Sequence, residues 1–265
     1  MIPAVRSELR KFFTTRMWWG LALGMVVIGG GLAATFGLLA GRGDPAQGGL
    51  PDLGQQGMVT TTYTAGLSFA YLLTLVIGVM SLGAEHRHKT ITSTFLATPH
   101  RARVMASKAV AMIAIGAFYG LLYVASAFAV GATVIALRGY EVLPSDENVP
   151  RSLALSLLAL GLWALMGLGV GILIRNQVAA LLISVAVAWI GQFLIILLLN
   201  GLGWTAATAY LPGQATSAMV SQVNGSGQGI AIEQLSWWAA ALLLTGYAAV
   251  LAGLGTWRTI RSDIS

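Results

Sequence analysis

Cysteine is absent from the 265-residue chain, which excludes disulfides and any cysteine-ligated metal. Charge is nearly as scarce, at 9% of residues, against roughly a quarter in an ordinary soluble domain. It is missing altogether from six long apolar runs, 17–40, 63–84, 109–137, 152–174, 178–199 and 237–257, none of which contains Asp, Glu, Lys, Arg or His. A carrier that relays protons or sodium through its helices uses such groups, so ion-coupled transport lacks its usual apparatus here. The three lysines follow Arg10, His88 and Ser107. No Gly-Lys pair exists, and the loop GxxxxGK[ST] that cradles nucleotide phosphates is therefore excluded.

What is abundant is apolar: 57% of the chain is hydrophobic and 33 residues are glycine. Spanning a bilayer takes about 20 apolar residues, and each of the six runs is long enough. The sequence therefore predicts an all-α integral membrane protein of one domain with six transmembrane helices. The glycines are spread through the apolar runs, where small residues let helices approach closely. The spacings Gly29/Ala33/Gly37 and Gly167/Gly171 suit such contacts either within one chain or between two copies.

Residues 3–16, PAVRSELRKFFTTR, alternate Arg6, Arg10, Lys11 and Arg16 with Val5, Leu9, Phe12 and Phe13, the pattern of an amphipathic helix in the headgroup layer. The apolar run begins only at Met17 and continues to Ala40, so the segment is expected to stay as an interfacial helix followed by the first span, not to be a cleaved signal. Near the other end, residues 200–236 are too long and mixed for a plain loop. Trp204, Tyr210, Trp237 and Trp238 sit as an aromatic belt would, and a re-entrant or external hairpin is expected before the last span.

The connections alternate in charge. On a six-span topology, twelve Lys/Arg fall on one side and three on the other, giving +9 against −3 once acids are included. The basic side is expected to be cytoplasmic, with both termini there. The net basicity is thereby a topological signal and an affinity for anionic lipid, not for nucleic acid. Two of the three lysines, three arginines and all three histidines lie in one basic-side stretch, Glu85–Lys108, EHRHKTITSTFLATPHRARVMASK. From Lys89 it places Ile91, Phe95 and Leu96 on one helical face and Lys89, Thr92 and Ser93 on the other, before Pro99 stops the helix. Either it is an ordinary basic loop, or it is a docking element. Glu85, His86 and His88 make a poor metal site, because residues two apart do not share a helix face and Arg87 and Lys89 repel a cation. No catalytic constellation is visible and no enzymatic activity is expected.

The order of features resembles the ABC-2 type permease family, the membrane subunits of bacterial ATP-binding-cassette exporters. The residues that carry the resemblance are Glu85, Thr90, Leu96, Pro99, Arg101, Arg103 and Lys108, with Lys89 standing where the family commonly has glycine. The resemblance implies a coupling helix over 88–98, with Glu85, His88, Lys89, Thr90, Ile91, Phe95, Leu96, Pro99, Arg101 and Arg103 in the coupling surface. Arg6, Arg10, Lys11 and Phe12 of the interfacial helix would join that surface. It implies separate ATPase subunits that hold ATP and magnesium, no cofactor in this chain, and a second permease copy or paralogue. It also implies a place in the bacterial inner membrane and export of a hydrophobic or amphiphilic compound. The readings from other classes are a self-contained secondary transporter, a non-transporting membrane scaffold and a lipid-handling membrane enzyme.

Overall fold

In hydrocarbon every backbone N–H and C=O must find a partner within its own segment, which makes uninterrupted helix the natural state of these apolar runs. The computed structural model describes residues 2–43, 49–87, 101–145, 147–174, 176–220 and 235–261, and among them every regular element is helical. Six helical stretches are long and apolar enough to cross a membrane: Met17–Leu39, Met58–Ser81, Arg103–Leu137, Val149–Leu173, Gln177–Gly201 and Trp237–Arg258.

A short helix α1 (Ile2–Phe13) precedes α2 (Met17–Leu39). The second stretch is divided into α3 (Met58–Thr64) and α4 (Leu67–Arg87), with Gly66 at the join, where a side chain would strike the Ile28 carbonyl and the Tyr123 ring. Helix α5 (Arg101–Leu137) starts well before the apolar run at 109, so Lys108 lies inside a helix and not in a loop. Helix α6 is Val149–Leu173; the fifth stretch is α7 (Gln177–Ala186), a π-turn at Val187–Gly191 and α8 (Gln192–Gly201). Asn176 caps α7, its side-chain oxygen accepting from the N–H groups of Val178 and Ala179. After a 3-10 turn (Thr205–Tyr210) come α9 (Pro212–Met219) and α10 (Trp237–Arg261).

Helices α4 and α6 form the centre of the bundle and share its most extensive contact. In the stretches that contain them 61% of the most apolar window is buried, against 17% for Gln177–Gly201. Glycine makes the central crossing possible: a Cβ on Gly78 would collide with the Ala164 carbonyl, and one on Gly167 with the Leu75 carbonyl. Gly171 meets Val79 in the same interface, while Gly29 lies against Tyr123 and Ser126 and Gly37 against Val134. Both small-residue spacings are thus occupied by packing within the chain.

The segment beyond α8 folds back onto the bundle and does not stand away from it. Ala209, Ala215, Ala218, Met219 and Val220 are buried, and α9 packs along α10. Two side chains hold α9. The Trp163 indole donates to the Thr216 hydroxyl at 2.9 Å, and the Gln192 carbonyl oxygen accepts the Gly213 N–H at 2.6 Å. Gln192 thereby links two elements across the apolar region, whereas Asn200 turns back to the Ile196 carbonyl of its own helix.

Candidate functional site

The only buried residue of α1 is its one acid, Glu8. The repeat that puts Val5, Leu9 and Phe12 partly out of water carries Glu8 against α5, where its carboxylate meets the Lys108 ammonium at 2.7 Å. Lys11 approaches the other carboxylate oxygen at 2.8 Å from a more exposed position. Lys108 is 1% exposed, so this pair joins the base of α1 to α5 through a contact from which water is excluded. Burial alone would raise the Glu8 carboxyl. The attraction and hydrogen bond of Lys108, aided by Lys11, outweigh that and hold it below its ordinary 4.5.

Aromatic rings complete the joint. Phe12 meets Tyr119 edge-on at 5.9 Å, and Phe13 meets Phe118 at 5.4 Å and Trp18 at 5.9 Å. The Tyr119 hydroxyl donates to the Trp18 carbonyl at 2.9 Å, tying α5 to the start of α2. An ion pair at one point and edge-to-face rings at another, each ring pair contributing roughly 0.5–1.5 kcal/mol, restrain both the position and the rotation of α1. At the same end Arg258 donates to the Leu173 carbonyl at 2.6 Å, satisfying the last turn of α6 with charge of the favourable sign.

Of the residues expected to form an ATPase-coupling surface, His88, Lys89, Thr90, Ile91, Phe95, Leu96 and Pro99 lie outside the described residues. Glu85 ends up in the last turns of α4 and Arg101 in the first turn of α5, and Arg103 is exposed on α5. Arg6, Arg10 and Lys11 are exposed on α1, and Phe12 is half-buried in the joint just described. The structure thus packs α1 against α5, the helix that follows residues 88–100.

No family model matches the chain, and no curated protein matches it. What can be said of the site rests on its own geometry.

Glu8 escaped the sequence reading as a functional residue, although a signal was present. It is the one acid in a basic segment, and Lys108 is the charge that abuts the longest apolar run. A lone charge at the edge of each of two neighbouring apolar surfaces is expensive unless the two meet. The arrangement is a joint between α1 and α5, made of a buried ion pair and edge-to-face rings.

Proposed function

We propose that the chain is the permease subunit of an ABC-2 type exporter. In this reading it works as a dimer in the bacterial inner membrane, with both termini cytoplasmic, driven by separate ATPase subunits that carry ATP and magnesium. The observation that carries the reading is the joint between α1 and α5. The six apolar runs carry no ionisable group, so no internal energy source is visible in the sequence, and motion imposed from outside needs a stiff element to enter by. Helix α1, held to α5 by Glu8–Lys108 and the Phe12–Tyr119 contact, is such an element. It stands beside the helix that emerges from residues 88–100.

On this reading α1 is interfacial and the segment 205–219 is re-entrant at the outer face. Its burial and its attachment to Gln192 and Trp163 support that assignment. The residues 88–98 form the coupling helix, with Ile91, Phe95 and Leu96 as anchors in a groove of the ATPase and Arg101 or Arg103 as rim charges. Nucleotide-driven closure pushes on this surface and α1 together, and the bundle switches between inward- and outward-facing states. The cargo is a hydrophobic or amphiphilic small molecule.

The test is Phe95→Asp, with co-purification of an ATPase from native membranes as the readout. A charge placed in a desolvated contact is expected to remove the partner and substrate-stimulated ATP hydrolysis together, while insertion is unaffected. Retention of the ATPase at wild-type stoichiometry, with hydrolysis still stimulated, defeats the coupling assignment. Sidedness is read separately. Cysteines introduced at Gly48 or Ser145 should react with an impermeant reagent from outside, and one at Thr98 only after permeabilisation; no native cysteine interferes.

A further inference from the structure

With Glu8 turned inward, the face of α1 directed away from α5 carries positive charge alone. Arg6 and Arg10 stand two residues to either side of Glu8, which puts each about 160° around the helix from it. They are one turn apart on the outer face, and both are exposed. Like charges at this i,i+4 spacing destabilise a helix in water, and the one acid of α1 is already engaged with Lys108 and Lys11 on the opposite side. Beside the pair lies an apolar side chain, Ile2, at 84% exposure, while the Phe13 ring is engaged with Phe118 of α5 and with Trp18. Cationic and apolar groups on one outward face suit a surface that offers anions and hydrocarbon together.

The chain also fixes the depth of that face. Only residues 14–16 separate α1 from the first apolar span, a distance of at most about 10 Å even when extended. They are not extended: the Thr14 N–H bonds to the Arg10 carbonyl at 3.0 Å and the Thr15 N–H to the Phe12 carbonyl at 3.2 Å. Trp19, 58% exposed, follows at the top of α2, where an indole settles at a bilayer interface.

We infer that the Arg6/Arg10 face of α1 binds anionic phospholipid headgroups, with Ile2 entering the adjoining acyl layer. Glu8 serves this surface by its absence from it, because the Lys108 pair removes the only negative charge from the helix exterior. The inference rests on the chain spanning a membrane and not on its transporting anything. Phosphate-bearing lipid fits better than an acidic protein surface, because the exposed Ile2 and the short tether hold the arginines at headgroup level.

The experiment uses the full-length chain in vesicles of phosphatidylcholine or an equimolar mixture with phosphatidylglycerol. Spin-labelled phosphatidylglycerol and phosphatidylcholine report the lipid held at the protein surface. The wild type is expected to prefer the anionic label, with the preference weakening as salt is raised. Arg6→Gln and Arg10→Gln should each lower it about fivefold, the effect of about 1 kcal/mol per basic residue near an anionic surface. Arg6→Lys/Arg10→Lys should keep it, which separates lost charge from a misfolded helix. Arg42→Gln, an equal loss of charge at the far end of α2, should leave it unchanged. An unaltered preference in Arg6→Gln/Arg10→Gln overturns the inference, as does an equal fall in Arg42→Gln. If the double glutamine variant keeps its lipid preference but loses a co-purifying ATPase, the face is a protein-docking surface and the inference is wrong, although the exporter reading survives.

Discussion

At one end of the bundle Glu8 and Lys108 meet side chain to side chain, out of water. At the other end Glu147 and Arg138 turn to the backbone at helix termini. The Glu147 carboxylate accepts from the N–H groups of Gly57 at 2.9 Å, Val59 at 3.4 Å and Thr60 at 2.6 Å, closing the buried start of α3. Arg138 donates to the carbonyls of Gly37 at 2.8 Å and Ala40 at 2.7 Å, closing the end of α2. Both arrangements place carboxylates and cations where simple electrostatics wants them. They differ in how they join neighbouring elements: the first pairs a buried side chain of α1 with a buried side chain of α5, whereas the second runs from side chains beside α5 and α6 to the backbone ends of α2 and α3.

The difference is most sharply tested by cutting one partner at a time. Glu8→Ala removes the carboxylate from a buried ammonium, a change that typically costs about 3–5 kcal/mol. Because the loss falls on one joint, the expected result is release of α1, seen as rapid trypsin cleavage after Arg6, Arg10 and Lys11 in a chain whose spans remain protected. Glu8→Leu combined with Lys108→Met should restore most of the protection, since an apolar pair of similar volume replaces two desolvated charges. Continued protection in Glu8→Ala would show that the rings alone hold α1.

Acid probes the same joint more gently, because a protonated Glu8 still fills its place. Its folded-state carboxyl lies below the ordinary 4.5. A group depressed on folding contributes stability at pH above its unfolded value and loses it as pH falls through the folded one. Amide exchange of residues 4–12, taken relative to the intrinsic rate at each pH, should be strongly protected at neutral pH and lose protection below about 4.5. The Glu8→Leu/Lys108→Met variant should show no such acid step. At the opposite end Glu147→Ala removes three bonds to an ionised acceptor, at a cost of about 2 kcal/mol. Its expected sign is faster exchange confined to 57–64, with α1 unchanged. Spread of the effect to α1 would refute the distinction between the two ends.

How much of this was legible beforehand follows from what each feature depends on. The six apolar helices are written in local composition, and each stretch reports its own length and polarity. The burial of α4 and α6 at the centre was not, since Leu-, Val- and Gly-rich helices facing lipid or protein look alike when both surroundings are apolar. Gly167 and Gly171 marked a close contact but not whose, and only the mate at Gly78 assigns it to this chain. The pairing of Glu8 with Lys108 spans 100 residues, and nothing local to either predicts the other. Likewise Gln192 could be recognised as a polar group needing a partner, but Gly213 N–H as that partner required the segment after α8 to turn back.

The smallest expected effect lies in the exposed cluster beside Arg138. Asp52 accepts the Gly54 N–H at 2.9 Å, and that bond, followed by one from the Tyr140 hydroxyl, lowers its carboxyl below the ordinary 3.8. The same contact raises the Tyr140 phenol. Arg138, 4.0 Å from Asp52, adds less. Tyr140→Phe deletes the second bond and keeps the ring under the Arg138 guanidinium, whose centre stands 5.7 Å from the ring centroid. Asp52 should then titrate at a higher pH than in the wild type, though still below its ordinary value because the Gly54 amide remains. Difference infrared spectra of the carboxylate band through a pH titration read this directly, with Asp52→Asn identifying the band. No change in thermal stability is expected, since the group faces solvent and its bond to Tyr140 exchanges readily for water. A measurable loss of stability in Tyr140→Phe would mean that this end, too, is held together through side-chain pairs, and the contrast with Glu8 and Lys108 would fail where it should be safest.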